Sequence, residues 1–304
     1  GYTIVIRLLD QSNSGRKLET IEMSDAVREA TLDVIQSAHG LILITGPTGS
    51  GKTSTLYSYL NEINSPERKV FTVEDPVEYT IRGVQHINVD RNIPFARALK
   101  SALRQDPDII LVGEIRDKET AKIAIEAAQT GHLVLSTLHT NSAVGAISRL
   151  IELGIDPSHI NETLLAVSAQ RLVRKCKDNR NVDHPNSHEA DWLRKNGYSN
   201  YVRKAFGRGY SIENYQGRLP VIELLLINDE IREFIAANDI NPIYELARKQ
   251  KQYAPLTEAA LGLAMEGRTS LEEVISISKS KSSSDMDGML LGDRLLVLGY
   301  LTEY

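Results

Sequence analysis

Residues 41–55 read LILITGPTGSGKTST. An apolar run gives way to a glycine-rich turn, then to a lysine and a threonine that open a helical pattern. The wording Gly46-Pro47-Thr48-Gly49-Ser50-Gly51-Lys52-Thr53 fits G-x-x-x-x-G-K-[ST], with a strand before it and a helix after it. Glycines let the backbone curl until several N–H groups face one anion, and the helix start adds partial positive charge. Lys52 is placed to reach β- and γ-phosphates, and the Thr53 hydroxyl to ligate a nucleotide-bound Mg²⁺. Thr55, farther along the same helix start, joins the nucleotide-binding set. A chain built on such a loop needs a strand that ends where the phosphates begin.

The rest of the first half agrees. Apolar runs at 41–45, 69–73, 109–113 and 133–138 alternate with helical patterns at 52–63, 94–104, 118–129 and 142–153. An earlier helix is expected from Ser24 to a stop at Gly40. Short apolar strands interleaved with helices predict an α/β fold with a mainly parallel sheet covered on both faces. Residues 2–9, YTIVIRLL, read as a strand whose sheet is expected to start before Gly1. From about Asp156 the pattern reads as helical through SAQRLVRK, then as a polar loop near Cys176 and a glycine-rich loop over 207–217. LPVIELLLI reads as a strand or apolar turn, three helical segments follow, and SKSKSSSDMDG reads as a flexible linker.

Composition sets limits. The chain has 304 residues and a net charge of −5, so there is no global electrostatic case for nucleic acid. One cysteine excludes an intramolecular disulfide, and no apolar run approaches the length that spans a bilayer. A reducing cytoplasm fits.

Three further segments carry candidate chemistry. In DPDIILVGEIRD, Glu114 follows an apolar strand, where a carboxylate can orient or deprotonate an attacking water. In FTVEDPVEY, Glu74, Asp75 and Glu78 crowd together, which suggests a nearby cation or a raised pKa. In TGHLVLSTLHTNS, His132 and His139 bracket another strand, where an imidazole could register the γ-phosphate.

Together these segments resemble one family, the secretion-system ATPases that drive type IV pilus assembly and type II secretion. GPTGSGKT looks like its Walker A loop, FTVEDPVEY its Asp box, LRQDPDIILVGEIRD its Walker B box and TGHLVLSTLHTNSA its His box; SAQRLVRK and LPVIELLLI also match. The resemblance covers about Tyr2 to Ile235. It implies a RecA-like P-loop core, ATP and Mg²⁺, assembly as a homo-hexamer, and work on an inner-membrane platform protein from the cytoplasmic face of a bacterial inner membrane. Membrane association would be peripheral, through partners, with no nucleic acid involved. It carries Glu114 over as the catalytic carboxylate, with Glu74 as the rival base, and Asp75, Glu78, His132 and His139 as nucleotide-site residues. It also matches Arg7 and Arg104 to arginines that neutralise phosphoryl charge, while Lys100 stands where an arginine is common.

The implied organisation is residues 1–20 as the remnant of a PAS-like N-terminal domain, 21–170 as the core, 171–220 as a degenerate metal module, 221–278 as a helical subdomain and 279–304 as linker and terminal helix. Many relatives carry two cysteine pairs after SAQRLVRK and bind zinc. This chain offers Cys176, His184 and His188, with Asp183 or Asp191 nearby, and Pro185 argues against both histidines sharing one helical turn, so no zinc site is expected. Packing around Trp192, Tyr198 and Tyr201 is expected instead. The rivals are a pilus-retraction motor, which shares all four boxes, a RecA-like nucleic-acid motor, and a nucleotide-binding subunit without turnover.

Overall fold

The computed structural model describes residues 17–90, 93–209 and 211–284. It divides into two compact units. Among the described residues, the first runs over 17–170 and 222–254, the second over 171–221 and 255–284. The expected helical group over 221–278 is therefore shared between the two units.

The first unit alternates as the sequence predicts. In order come α1 (Asp25–Ile35), β1 (Gly40–Thr45), α2 (Lys52–Ile63), β2 (Val70–Glu74), β3 (Val84–Asn88), α3 (Phe95–Leu103), β4 (Ile109–Val112), α4 (Lys118–Gln129), β5 (Leu133–Leu138), α5 (Ala143–Glu152), α6 (Pro157–Thr163) and β6 (Leu164–Cys176). The sheet has the order β3-β2-β4-β5-β1-β6 and then β9 (Tyr215–Leu226), and the pairings from β3 through β6 are parallel. β1, β2, β4 and β5 are buried along their whole length, as strands covered on both faces must be. One face packs Ile42, Ile44, Val70, Leu111 and Leu135 against residues of α1 and α2. The other packs Phe71 and Val73 against Ala98 and Ala102 of α3.

Helix starts follow local chemistry. Ser24, Asp117 and Ser142 each accept a backbone N–H in the first turn of α1, α4 and α5. Pro157 opens α6, where its missing N–H costs nothing.

The expected helix through SAQRLVRK is instead the strand β6, paired with β1 from Leu41 to Thr45. Its Ala, Leu, Gln, Arg and Lys content favours a helix locally, but the open edge of a buried central strand supplies ladder bonds that outweigh propensity. β3 was not expected either. It is a short, half-exposed strand of mixed polarity, which leaves no period to read.

In the second unit β7 (Val182–Asp183) pairs antiparallel with β8 (Phe206–Gly207). Between them lies α7 (Ser187–Lys195), where only a polar loop was expected. Its start is a capping box: Asn186 accepts the Glu189 N–H, and the Glu189 carboxylate accepts the Asn186 N–H. That box follows Pro185 directly, so His184 precedes the helix and His188 lies inside it. Among the described residues no group of three or more His, Cys, Asp or Glu gathers to hold a metal. Trp192 stacks on Tyr198, which meets Tyr201 edge-on. The deeper element is an ion pair. The Arg208 guanidinium donates to Glu189 Oε1 at 2.6 Å, with both side chains under 5% exposed, and also to the His184 carbonyl. Cys176 is buried and its thiol lies 3.8 Å from the Arg208 carbonyl.

Beyond β9 the chain forms α8 (Asp229–Ala236) and α9 (Asn241–Arg248) in the first unit, then α10 (Leu256–Met265) and α11 (Leu271–Ser284) in the second. α11 runs into the serine-rich stretch read as linker; the expected terminal helix and the expected strand over 2–9 lie outside the described residues.

The Arg208–Glu189 pair yields a stability prediction. Arg208→Met strands a buried carboxylate and should cost about 3–5 kcal/mol. Adding Glu189→Gln, which keeps the helix cap and removes the charge, should restore more than half. Urea unfolding followed by Trp192, the only tryptophan, checks this; equal stability of both variants would refute it.

Candidate active site

The site is built at the carboxyl ends of the parallel strands. β1 ends at Thr45, and Gly46 turns the chain with φ 151°. A Cβ on Gly46 would lie 2.4 Å from the Gln170 carbonyl and 2.6 Å from Ser50 Oγ, so only glycine fits. Gly51 enters α2 from the left-handed region, with φ 87° and no side-chain cap, which leaves the first N–H groups of α2 for an anion. Pro47, Thr48 and Gly49 are exposed at the tip, and Ser50 is buried beneath them. Ser50 Oγ has no hydrogen-bond partner. The Lys52 ammonium donates to the Gly46 carbonyl at 2.8 Å and the Pro47 carbonyl at 3.0 Å, folded over its own loop. Thr53 is exposed beside it, and Thr55 faces inward. A narrow glycine cradle, an ammonium held across its mouth and an exposed hydroxyl at the helix start fit a triphosphate with its Mg²⁺.

Two neighbouring strands hold this loop. Gln170 of β6 donates to the Ser50 carbonyl at 2.8 Å and accepts from the Thr55 hydroxyl at 2.9 Å. Thr45 Oγ1 accepts the Thr140 N–H at 2.7 Å and lies 2.7 Å from the Thr140 hydroxyl. The base of the phosphate loop is thus tied to the segment that carries His139.

Glu114 follows β4. The Gly113 N–H donates to the Val73 carbonyl at 2.8 Å and the Ile115 N–H to the Thr137 carbonyl at 3.0 Å, so Glu114 hangs between the ends of β2 and β5. Its side chain is 14% exposed. One carboxylate oxygen meets Arg116 at 2.5 Å, and the other is 3.6 Å from His139 Nε2. The structure therefore brings Glu114 and His139 together.

Glu74, at the end of β2, is engaged differently. Its side chain is buried, Tyr57 of α2 donates to Oε2 at 2.5 Å, and His86 Nδ1 lies 3.4 Å from Oε1. His86 Nε2 accepts the Ile81 N–H at 3.0 Å, so the ring proton sits on Nδ1, facing Thr72 and Glu74. Burial, and then the Glu74 charge, push the Tyr57 phenol far above its ordinary range, so it remains a donor. Asp75 is exposed on the turn that follows, and Glu78 is half-buried on the same turn.

Two expected site residues lie elsewhere. His132 precedes β5, accepts the Gly40 N–H with its carbonyl, and bonds the Ala127 carbonyl through Nδ1 at 2.9 Å. That is the amino end of the strands, roughly 17 Å of strand from the phosphate loop. Its ring finishes α4. Arg104, exposed at the end of α3, precedes β4 on that same far rim. Within this chain both residues therefore lie at the end of the strands opposite Lys52, Glu114 and His139. Lys100 makes an exposed pair with Glu119 at 2.8 Å. Arg7 lies outside the described residues.

Sequence reading gave no role to Thr45, Tyr57, His86, Thr140 or Gln170. Gln170 had the clearest signal, a long polar side chain in a run that proved to be a strand.

A family described as type II/IV secretion system protein matches residues 1–276. The chain is 42% identical over 290 residues to a type II secretion system protein E of Pectobacterium carotovorum subsp. carotovorum, covering 92% of this chain and 57% of the relative. It is 43% identical to the type IV pilus assembly ATPase PilB of Thermus thermophilus, covering 91% of this chain and 32% of the relative. Among solved structures, the pilus retraction motor PilT with bound ADP superposes with a TM-score of 0.66 at 30% identity, over 86% of this chain and 66% of that one. The Legionella pneumophila ATPase DotB gives 0.64 at 28%, over 88% and 66%. The chain spans a little over half the length of the type II secretion relatives it matches. The fold is the RecA-like α/β fold of these motors, and the chain belongs to the type II/IV secretion system protein family.

Proposed function

We propose that this chain is the ATP-hydrolysing part of a motor that powers type IV pilus assembly or type II-like secretion. The observation that carries the reading is the convergence of the Lys52 loop, Glu114 and His139 at the carboxyl ends of adjacent central strands. Lys52 would hold the β- and γ-phosphates and Thr53 the Mg²⁺, which supplies charge neutralisation when bound. Glu114 would orient the attacking water. It is the better base because its carboxylate reaches the surface, whereas both oxygens of Glu74 face donors inside the unit. Asp75 and Glu78, on the turn after β2, would contact nucleotide from the same end of the strands.

The motor would act as a homo-hexamer on an inner-membrane platform protein, with Arg7 completing the site from another subunit or domain. The identities to secretion and pilus-assembly relatives, 42% and 43%, against 30% to the retraction motor, favour assembly or secretion over retraction. Among the described residues no helix is long and apolar enough to cross a membrane.

Lys52→Ala should abolish detectable phosphate release and weaken ATP binding. Glu114→Gln should lower kcat by about 100-fold or more while ATP still binds, as expected for loss of a water-positioning group. Phosphate release and fluorescent-nucleotide titration check both. Normal turnover in Glu114→Gln, with loss in Glu74→Gln, would move the role to Glu74. Sedimentation with ATP and Mg²⁺ should give six copies per particle; a monomer at every concentration would count against the ring.

A further inference from the structure

Glu223 sits in the apolar run Ile222–Leu225 of β9 and is 1% exposed. An ionised carboxylate there is costly unless it is compensated. Its Oε1 accepts the Ala143 N–H at 2.8 Å, and Tyr253 donates its hydroxyl to the same carboxylate. Ala143 is the first residue of α5, so the carboxylate also meets the positive end of that helix. Burial first, and the Glu223 charge second, hold the Tyr253 phenol well above its ordinary range, so Tyr253 stays a donor.

What this compensation fixes in place is the segment from Leu138 to Ala143. One end is anchored where Thr45 meets Thr140. Within it, the Thr140 hydroxyl donates to the Ser142 carbonyl at 3.0 Å, and Ser142 caps α5. The other end is anchored by Glu223 at Ala143. His139 is next to the first anchor, with its ring 48% exposed and 3.6 Å from Glu114.

We propose that Glu223, braced by Tyr253, is a positioning residue for ATP hydrolysis: by holding the Ala143 N–H it fixes the segment that presents His139 to Glu114. This rests on the reading that Glu114 and His139 act in hydrolysis. A small displacement of such a segment is enough to slow a reaction about 10-fold to 100-fold without loosening the nucleotide, because orientation at the reacting centre is lost while phosphate contacts persist.

The test is steady-state ATPase kinetics on the purified chain, with thermal melts, for Glu223→Ala, His139→Ala and the double variant. The expected result is a folded Glu223→Ala with kcat down about 10-fold, KM for ATP within about twofold, and no added loss when His139 is already alanine. Glu223→Gln keeps an acceptor for Ala143 and should restore most of kcat. Unchanged kcat in folded Glu223→Ala, a raised KM with kcat intact, or the full Glu223→Ala loss repeated in the His139→Ala background would overturn the proposal. If Glu223→Ala does not fold, Tyr253→Phe takes its place, with a fall of about threefold that also vanishes in the His139→Ala background; no fall, or an additive one, overturns it. A wild-type chain without turnover would instead strike the functional reading on which the proposal stands.

Discussion

The fit on which the phosphate loop depends is backbone against backbone. Gly46 passes so near the carbonyl of Gln170 that no side chain can stand there. That contact lets β6 hold the phosphate loop from behind while β1 delivers it from below. The loop is therefore formed by the sheet order itself, with β1 between β5 and β6. Each neighbour contributes one anchor, Thr140 after β5 and Gln170 on β6. A phosphate cradle held at both sides needs little reorganisation when nucleotide arrives, which is the condition for electrostatic stabilisation to be effective.

Four buried or half-buried acids show how environment assigns roles. Glu74, Glu189 and Glu223 are each deeply buried and each satisfied by donors: Tyr57 and His86, Arg208 and the Asn186 N–H, Ala143 N–H and Tyr253. Such carboxylates hold segments in place, each bonded to at least two donors away from solvent. Glu114 differs. Its partners are the exposed Arg116 and the half-exposed His139, both able to move away. In the second unit the Arg208–Glu189 pair ties α7 to the end of β8, the strand that follows it.

Much of this was legible in the sequence. The phosphate loop, α2, β5 and α4 fall where the apolar periods and glycines put them. Glu114 and His139 were named, and they meet. Three kinds of information were not there to read. Strand polarity decides that His139 is at the site and His132 at the far rim, although the two flank one strand. Tertiary pairing turned a helix-prone segment into β6, and with it placed Gln170 under the loop. Partners of buried polar groups come from distant sequence: Glu223 in its apolar run announced that something must compensate it, but nothing announced Ala143 or Tyr253. The capping box at Asn186 and Glu189 is the one local signal for α7 that the sequence does carry.

The central claim is that Lys52, Glu114 and His139 form one hydrolytic site, with Glu74 kept out of it. The most direct measurement is a crystal structure with a non-hydrolysable ATP analogue and Mg²⁺. The account predicts that the Lys52 ammonium leaves the Gly46 and Pro47 carbonyls for the phosphates. It predicts a water about 3 Å from Glu114, in line with the γ-phosphate, while Glu74 keeps Tyr57 and His86. An in-line water held by Glu74, with Glu114 turned onto Arg116 and away from the nucleotide, would contradict it.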